Sequence, residues 1–176
     1  MPLKLVRHPI AETPAVSFIQ AEAVRGGARL TLSYGLSGDL ARLAIPAVVA
    51  AGRADELWRH TCFEAFVRAA TSDAYLELNL APSTRWAAYR FTSYREGMHN
   101  AEVAPPRIDV ETTSDRLTLT ADVDLSALPD LAAAERWRIA LTAVIEDAAG
   151  ALSYWSLAHA PGRPDFHHSA GFEVEL

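Results

Sequence analysis

Apolar side chains recur at every second residue over short runs of this chain, a period that puts them on one face of an extended strand rather than along one stripe of a helix. Leu76, Leu78 and Leu80 alternate with Tyr75, Glu77 and Asn79, and Leu117, Leu119, Ala121 and Val123 alternate with Thr118, Thr120 and Asp122. Trp137, Ile139, Leu141, Ala143 and Ile145 keep the same period, while Phe63, Ala65 and Val67 share one parity and Cys62, Glu64 and Phe66 the other. Val16 to Ala23 and Arg29 to Tyr34 flank Arg25-Gly26-Gly27-Ala28, a pattern that predicts a hairpin. Leu40 to Ile45 reads as the next strand before Pro46, Trp86 to Phe91 follows a Pro82-Ser83-Thr84 turn, and Leu152 to Leu157 follows Ala148-Ala149-Gly150. Phe172 to Leu176 closes the chain as a strand, residues 101–107 and 161–168 read as loops by their prolines, and Leu125 to Ala134 holds at most one short helix. About ten strands of this kind predict an all-β domain over residues 1–176, folded as an antiparallel two-sheet β-sandwich.

Composition agrees with one core. A chain of 176 residues buries about 70% of its surface on folding, and half its residues are apolar with 22% charged, which excludes a disordered, coiled-coil or disulfide-stapled chain. Sixteen basic against twenty-two acidic side chains leave a net charge of −6, contrary to what phosphate-neutralising proteins need, so nucleic acid is not an expected partner. The single cysteine, Cys62, allows no internal disulfide, and the start of the chain lacks the apolar run of a secretion signal or membrane span. The expectation is a cytoplasmic protein with no membrane partner; an unpaired edge strand leaves room for a homodimer.

If Leu76, Leu78 and Leu80 face the core, Tyr75, Glu77 and Asn79 must line the other face of their sheet, beside Glu64 of the preceding strand. Carboxylates and an amide next to aromatic rings suit a polyhydroxylated ligand, because rings stack on C–H faces while polar groups orient hydroxyls. The plainer reading is that Glu64 and Glu77 simply face solvent or pair with Arg90 and Arg95. Two other chemistries share these residues. Glu64 and Glu77, on adjacent strands, could stand at the separation that glycoside processing requires. His60, Cys62 and Glu64 share a parity, yet alternate residues of a strand lie about 6.6 Å apart, so a metal would need His159, His167 or His168 as well. Cys62 reads as a small buried hydrophobe, and Gly35-Leu36-Ser37-Gly38-Asp39 as a turn rather than a nucleophile elbow.

The run Leu57-Trp58-x-His60-Thr61-Cys62-Phe63-Glu64-x-Phe66, the run Tyr75-x-Glu77-x-Asn79-x-x-Pro82-Ser83-x-x-Trp86-Ala87-Ala88-Tyr89, the segment Tyr94-Arg95-x-Gly97-Met98, and Tyr154-Trp155 followed by Pro164-Asp165-Phe166-His167-His168 resemble bacterial DOMON-like proteins, relatives of the family 9 carbohydrate-binding modules. The resemblance implies a jelly-roll-like sandwich whose relatives bind sugars in some branches and haem in others. For sugar it implies tryptophan platforms, with Trp58, Trp86 and Trp155 as candidates and Glu64, Glu77, Asn79 and Arg95 as hydrogen-bonding partners, closed by the loop at 159–169 that carries His167. Trp137, in phase with Ile139 and Leu141, belongs to the core. For haem it implies axial ligation by Met98 with His159, His167 or His168. The leading expectation is a small-ligand-binding module for carbohydrate, with neither cofactor nor catalytic activity of its own. A haem or metal site, a glycoside-processing enzyme and a protein-interaction module are the alternatives.

Overall fold

Alternation becomes strand pairing in the computed structural model, which describes residues 1–176. In chain order the strands are β1 (Leu3–Arg7), β2 (Val16–Gly26), β3 (Arg29–Gly38), β4 (Gly52–Arg53), β5 (Cys62–Ala69), β6 (Tyr75–Leu80), β7 (Arg85–Phe91), β8 (His99–Asn100), β9 (Arg107–Thr112), β10 (Arg116–Asp124), β11 (Trp137–Glu146), β12 (Leu152–Ser156) and β13 (Val174–Glu175). The only α-helix is the single turn α1 (Pro129–Ala132).

These strands do not form a two-sheet antiparallel sandwich. They make one continuous sheet in the order β4-β7-β6-β5-β11-β12-β1-β2-β3-β10-β9, with β13 added to β11 and β8 to β7. It is mixed, because β4 runs parallel to β7, and it curls strongly into a half-barrel. The strand responsible for continuity is β1, which pairs with β2 through Leu3, Lys4 and Leu5 and with β12 through Val6 and Arg7. Alternation shows which face of a strand is buried but not which neighbour it bonds, so five residues at the start of the chain overturn the sandwich.

The concave side encloses the core. Leu30, Leu32, Tyr34 and Leu36 of β3 and Leu117, Leu119 and Ala121 of β10 meet Phe63, Ala65 and Val67 of β5, Leu76, Leu78 and Leu80 of β6, and Ile139 and Leu141 of β11. Tyr34 stacks on Phe63 at 5.0 Å, and its hydroxyl donates to the Glu64 carbonyl at 2.6 Å, tying the two arms together across the interior. Each such buried side chain contributes about 1.5–3 kcal/mol relative to exposure. Trp137 lies in this core, its indole N–H donating to the Leu131 carbonyl at 2.9 Å.

Two local expectations fail for identifiable reasons. Leu40 to Ile45 is not a strand: Leu40–Arg42 forms a 3₁₀ turn, and Leu43 makes a lone bridge to Asp147. The two buried leucines there, Leu40 and Leu43, are three residues apart, the repeat of a 3₁₀ helix rather than of a strand. At the end of the chain pairing with β11 begins only at Val174, with Leu176 exchanging backbone hydrogen bonds with Trp137, and Phe172 instead packs on the outer face of the sheet.

Candidate ligand-binding cleft

Register builds the site. Thr142, Glu64, Asn79 and Ala87 lie side by side across β11, β5, β6 and β7, and Ala140, Phe66, Glu77 and Tyr89 form the adjacent row. Since Leu76, Leu78 and Leu80 turn inward, these rows face outward on the convex side of the sheet. They are nevertheless buried, because three connections fold over them: the turn at 54–60, the turn at 92–98 and the long loop at 158–172. Between the connections a cleft of about 440 Å³ remains, lined by Trp58, Glu64, Glu77, Phe91, Arg95, Met98, Val144, Tyr154, Pro164, Phe166 and His167. That volume falls in the range of small-molecule sites, roughly 300–1,000 Å³.

Each wall is held from beneath. Tyr89 donates its hydroxyl to Asp55 at 2.7 Å, and Glu56 adopts a left-handed backbone (φ 58°), which together present Trp58 on a 3₁₀ turn with 45% of its surface exposed. Asp165 organises the opposite side, accepting from Tyr94, from Arg95 at 2.8 Å and from the His167 backbone N–H at 3.1 Å. Although burial acts against it, the bonds from Tyr94 and Arg95 hold the Asp165 carboxyl below its ordinary value. The Arg95 backbone N–H donates to the Tyr75 hydroxyl at 3.1 Å, and that hydroxyl lies 2.7 Å from His167 Nδ1. The Tyr75 proton therefore goes to Nδ1, which leaves the His167 Nε2–H facing Glu77 Oε2 at 3.6 Å. Phe66 and Phe91 meet the imidazole edge-on at 5.1 Å. This burial, with the Arg95 charge, pushes the His167 pKa down to about 4, so the ring is neutral near neutral pH.

The floor is acidic. Burial raises the Glu77 carboxyl above its usual range, against the opposing pull of the Asn79 amide, which donates to Oε1 at 2.8 Å, and of Arg95. Glu64 is more extreme: burial and then the neighbouring Glu77 raise it well above the ordinary carboxylate value. One oxygen of Glu64 takes only a long 3.5 Å contact from Thr142, and the other, Oε1, has no partner at all. Burial of this kind favours the neutral form of the carboxyl, which can both donate and accept, on the floor of a concave site. Cys62, on the same face, is fully buried, and that burial above all raises its thiol well above the ordinary value.

Five of the eight residues expected at a binding surface, Trp58, Glu64, Glu77, Arg95 and His167, line this one cleft. Asn79 is wholly buried and acts beneath it by orienting Glu77. Trp86 and Trp155 are not platforms: they are 4% and 5% exposed and belong to the main core. Trp86 pairs with Leu80 and so shares the inward face of the leucines, and Arg53 covers its ring at 4.4 Å. Trp155 likewise points inward, its indole N–H bonded to Ser153 at 3.0 Å, which turns its neighbour Tyr154 out into the cleft. Phe91, Val144, Tyr154 and Phe166 were not anticipated as walls. Parity alone would have supplied Phe91, since it shares a face with Tyr89; Phe166 lies on a loop that no period marks.

Three of the histidines named for haem or metal are already engaged. His167 has one ring nitrogen engaged by Tyr75 and the other facing Glu77, His159 bonds the Val6 carbonyl at 2.8 Å, and His60 pairs with Glu146 at 2.7 Å away from Cys62 and Glu64. No three His, Cys, Asp or Glu side chains are grouped as metal ligands.

No protein-family model matches the chain, and no curated protein matches it in sequence. Among solved structures it is similar to a Bacteroides uniformis protein proposed to bind carbohydrate, with a TM-score of 0.70 and 16% identity over 98% of this chain and 83% of that one. It is also similar to a family 9 carbohydrate-binding module from Caldicellulosiruptor kristjanssonii in complex with cellotriose, with a TM-score of 0.53 and 10% identity over 91% of this chain and 75% of the module. At these identities the likeness is one of fold. It shows neither family membership nor a DOMON-like identity for this chain.

Proposed function

We propose that the cleft binds a small carbohydrate. The observation that carries the reading is Glu64, an acid without a partner for Oε1, on the floor of a cleft whose rim holds a half-exposed tryptophan. A buried polar atom left unpaired costs about 1–3 kcal/mol, and a ligand hydroxyl that both donates and accepts would recover it. Trp58, Tyr154 and Phe166 offer ring faces and edges for the C–H surface of a sugar, while Glu77, Arg95 and His167 offer acceptors and donors beside them. The fold shared with a protein proposed to bind carbohydrate and with a module solved around cellotriose supports this choice over other polar ligands.

Calorimetric or NMR titration with glucose, cellotriose and a panel of other mono- and oligosaccharides tests the proposal. Saturable binding by the wild-type chain is expected, weakened about tenfold or more in Trp58→Ala with an unchanged melting temperature. Equal affinities in the two proteins, or no saturation with any sugar, would refute it.

A further inference from the structure

On the far side of the His167 and Tyr75 pair lies a second concavity of about 510 Å³, which shares His167 as a wall with the first. Its composition is different. Arg68 enters it from β5, with its guanidinium over the Phe172 ring at 4.7 Å. Ser93, His168 and Ser169 line it too, and His168 Nδ1 accepts from the Ala170 backbone N–H at 3.1 Å, which leaves Nε2 as its free donor.

Arg68 stands out because, apart from the Phe172 ring, no acceptor or carboxylate in the protein pairs with it. Its Nε is buried without an acceptor. Its cross-strand neighbour is another cation, Arg138, and the adjacent carboxylate, Glu175, already serves both Arg136 and Arg138 at 2.9 and 2.8 Å. The one carboxylate on the pocket, Asp73, is exposed and forms no ion pair with Arg68. A partly buried guanidinium whose Nε–H lacks an acceptor, with its terminal N–H groups open to the pocket, is suited to an anion, because its planar fork matches the two oxygens of a phosphate or carboxylate.

We propose that this pocket is an oxyanion site, in which Arg68 takes a phosphate or carboxylate group of a small ligand with His168 and the Ser93 and Ser169 hydroxyls as further donors. The proposal stands independently of carbohydrate binding in the first cleft. If both hold, the shared His167 wall places an anionic site beside a sugar site, as a phosphorylated or acidic sugar would require.

The test is an NMR titration with inorganic phosphate and, separately, with acetate, each against sodium chloride at matched ionic strength. Saturable shifts at residues around Arg68 are expected for phosphate or acetate and not for chloride, weakened about tenfold or more in Arg68→Gln and partly retained in Arg68→Lys. The stronger of the two anions identifies the group. Absence of saturation for both anions, or the same response in wild type and Arg68→Gln, would overturn the site. Arg68→Lys keeps the charge and the stem over Phe172, so a folded Arg68→Lys without any anion response would also overturn it. Sugar titration of Arg68→Gln separates the two readings: sugar binding that survives while the phosphate response is lost places the two ligands in different pockets.

Discussion

Acidification from pH 7 to pH 4 is expected to force a proton onto His167 only at the expense of the fold. The ring sits among Phe66, Phe91 and Tyr75, with Nδ1 already accepting from Tyr75, and burial together with Arg95 lowers its pKa from 6.5 to about 4. In the unfolded chain the same ring protonates near 6.5. Between those values the unfolded state binds more protons than the folded one, so stability is present above pH 6.5 and is lost as the pH falls toward 4. At about 1.4 kcal/mol per pH unit, the gap is worth about 3 kcal/mol. Glu64 and Glu77 act in the opposite direction, because their raised values favour the folded state as pH falls, so the contribution must be isolated by difference. His167→Asn keeps an acceptor for Tyr75 without the titration. Urea unfolding of both proteins from pH 7.5 to 4 should show the wild type losing about 3 kcal/mol relative to the variant over this range, and imidazole NMR should place the His167 midpoint near 4. Parallel pH profiles for the two proteins, or a midpoint at 6 or above, would refute the protonation argument.

Glu64→Gln removes an ionisation that burial opposes, so the wild type should lose stability as the pH rises above the ordinary carboxylate value of 4.5 while the variant's profile is flatter, as read by thermal denaturation between pH 5 and 8. Trp86→Ala and Trp155→Ala are core truncations and should each cost about 3–5 kcal/mol in chemical unfolding; sugar affinity per folded molecule should stay unchanged, and a selective loss of affinity would contradict their inward placement. Val6→Pro removes a backbone donor opposite Ser156 on the strand that joins the two arms, while the Val6 side chain is itself exposed. It should destabilise by about 1–3 kcal/mol where Val6→Ala costs about 0.5 kcal/mol or less, as measured by denaturant unfolding.

The alternation of β6 and β5 made the essential half of the site legible. Once Leu76, Leu78 and Leu80 are inside, Glu77 and Asn79 must be on the other face, and Glu64 joins them across a hairpin of near-consecutive strands. The same rule carried Trp137 into the core. It would also have removed Trp86 and Trp155 from the surface, had register rather than residue type been followed: Trp86 stands opposite Leu80, and Trp155 alternates with Tyr154. Alternation did not reach the cleft's far wall: Arg95 and His167 were expected there through the family resemblance rather than any period, and Pro164 and Phe166 not at all, because these loops take paths that depend on Asp165 meeting Arg95 and Tyr94 about seventy residues away.

Local chemistry in the chain thus determines which side of each strand is apolar, where the tight turns fall and which polar side chains share a face. Strand neighbours, by contrast, are chosen by long-range hydrogen bonds that any extended segment can offer, so only the tertiary structure decided that β1 bridges both arms and makes one curled sheet of them. Burial of the polar face was decided there too. Glu64, Glu77 and His167 depart from their ordinary protonation only because three distant connections close over them and exclude water, and no spacing of residues along the chain encodes that solvent exclusion by itself.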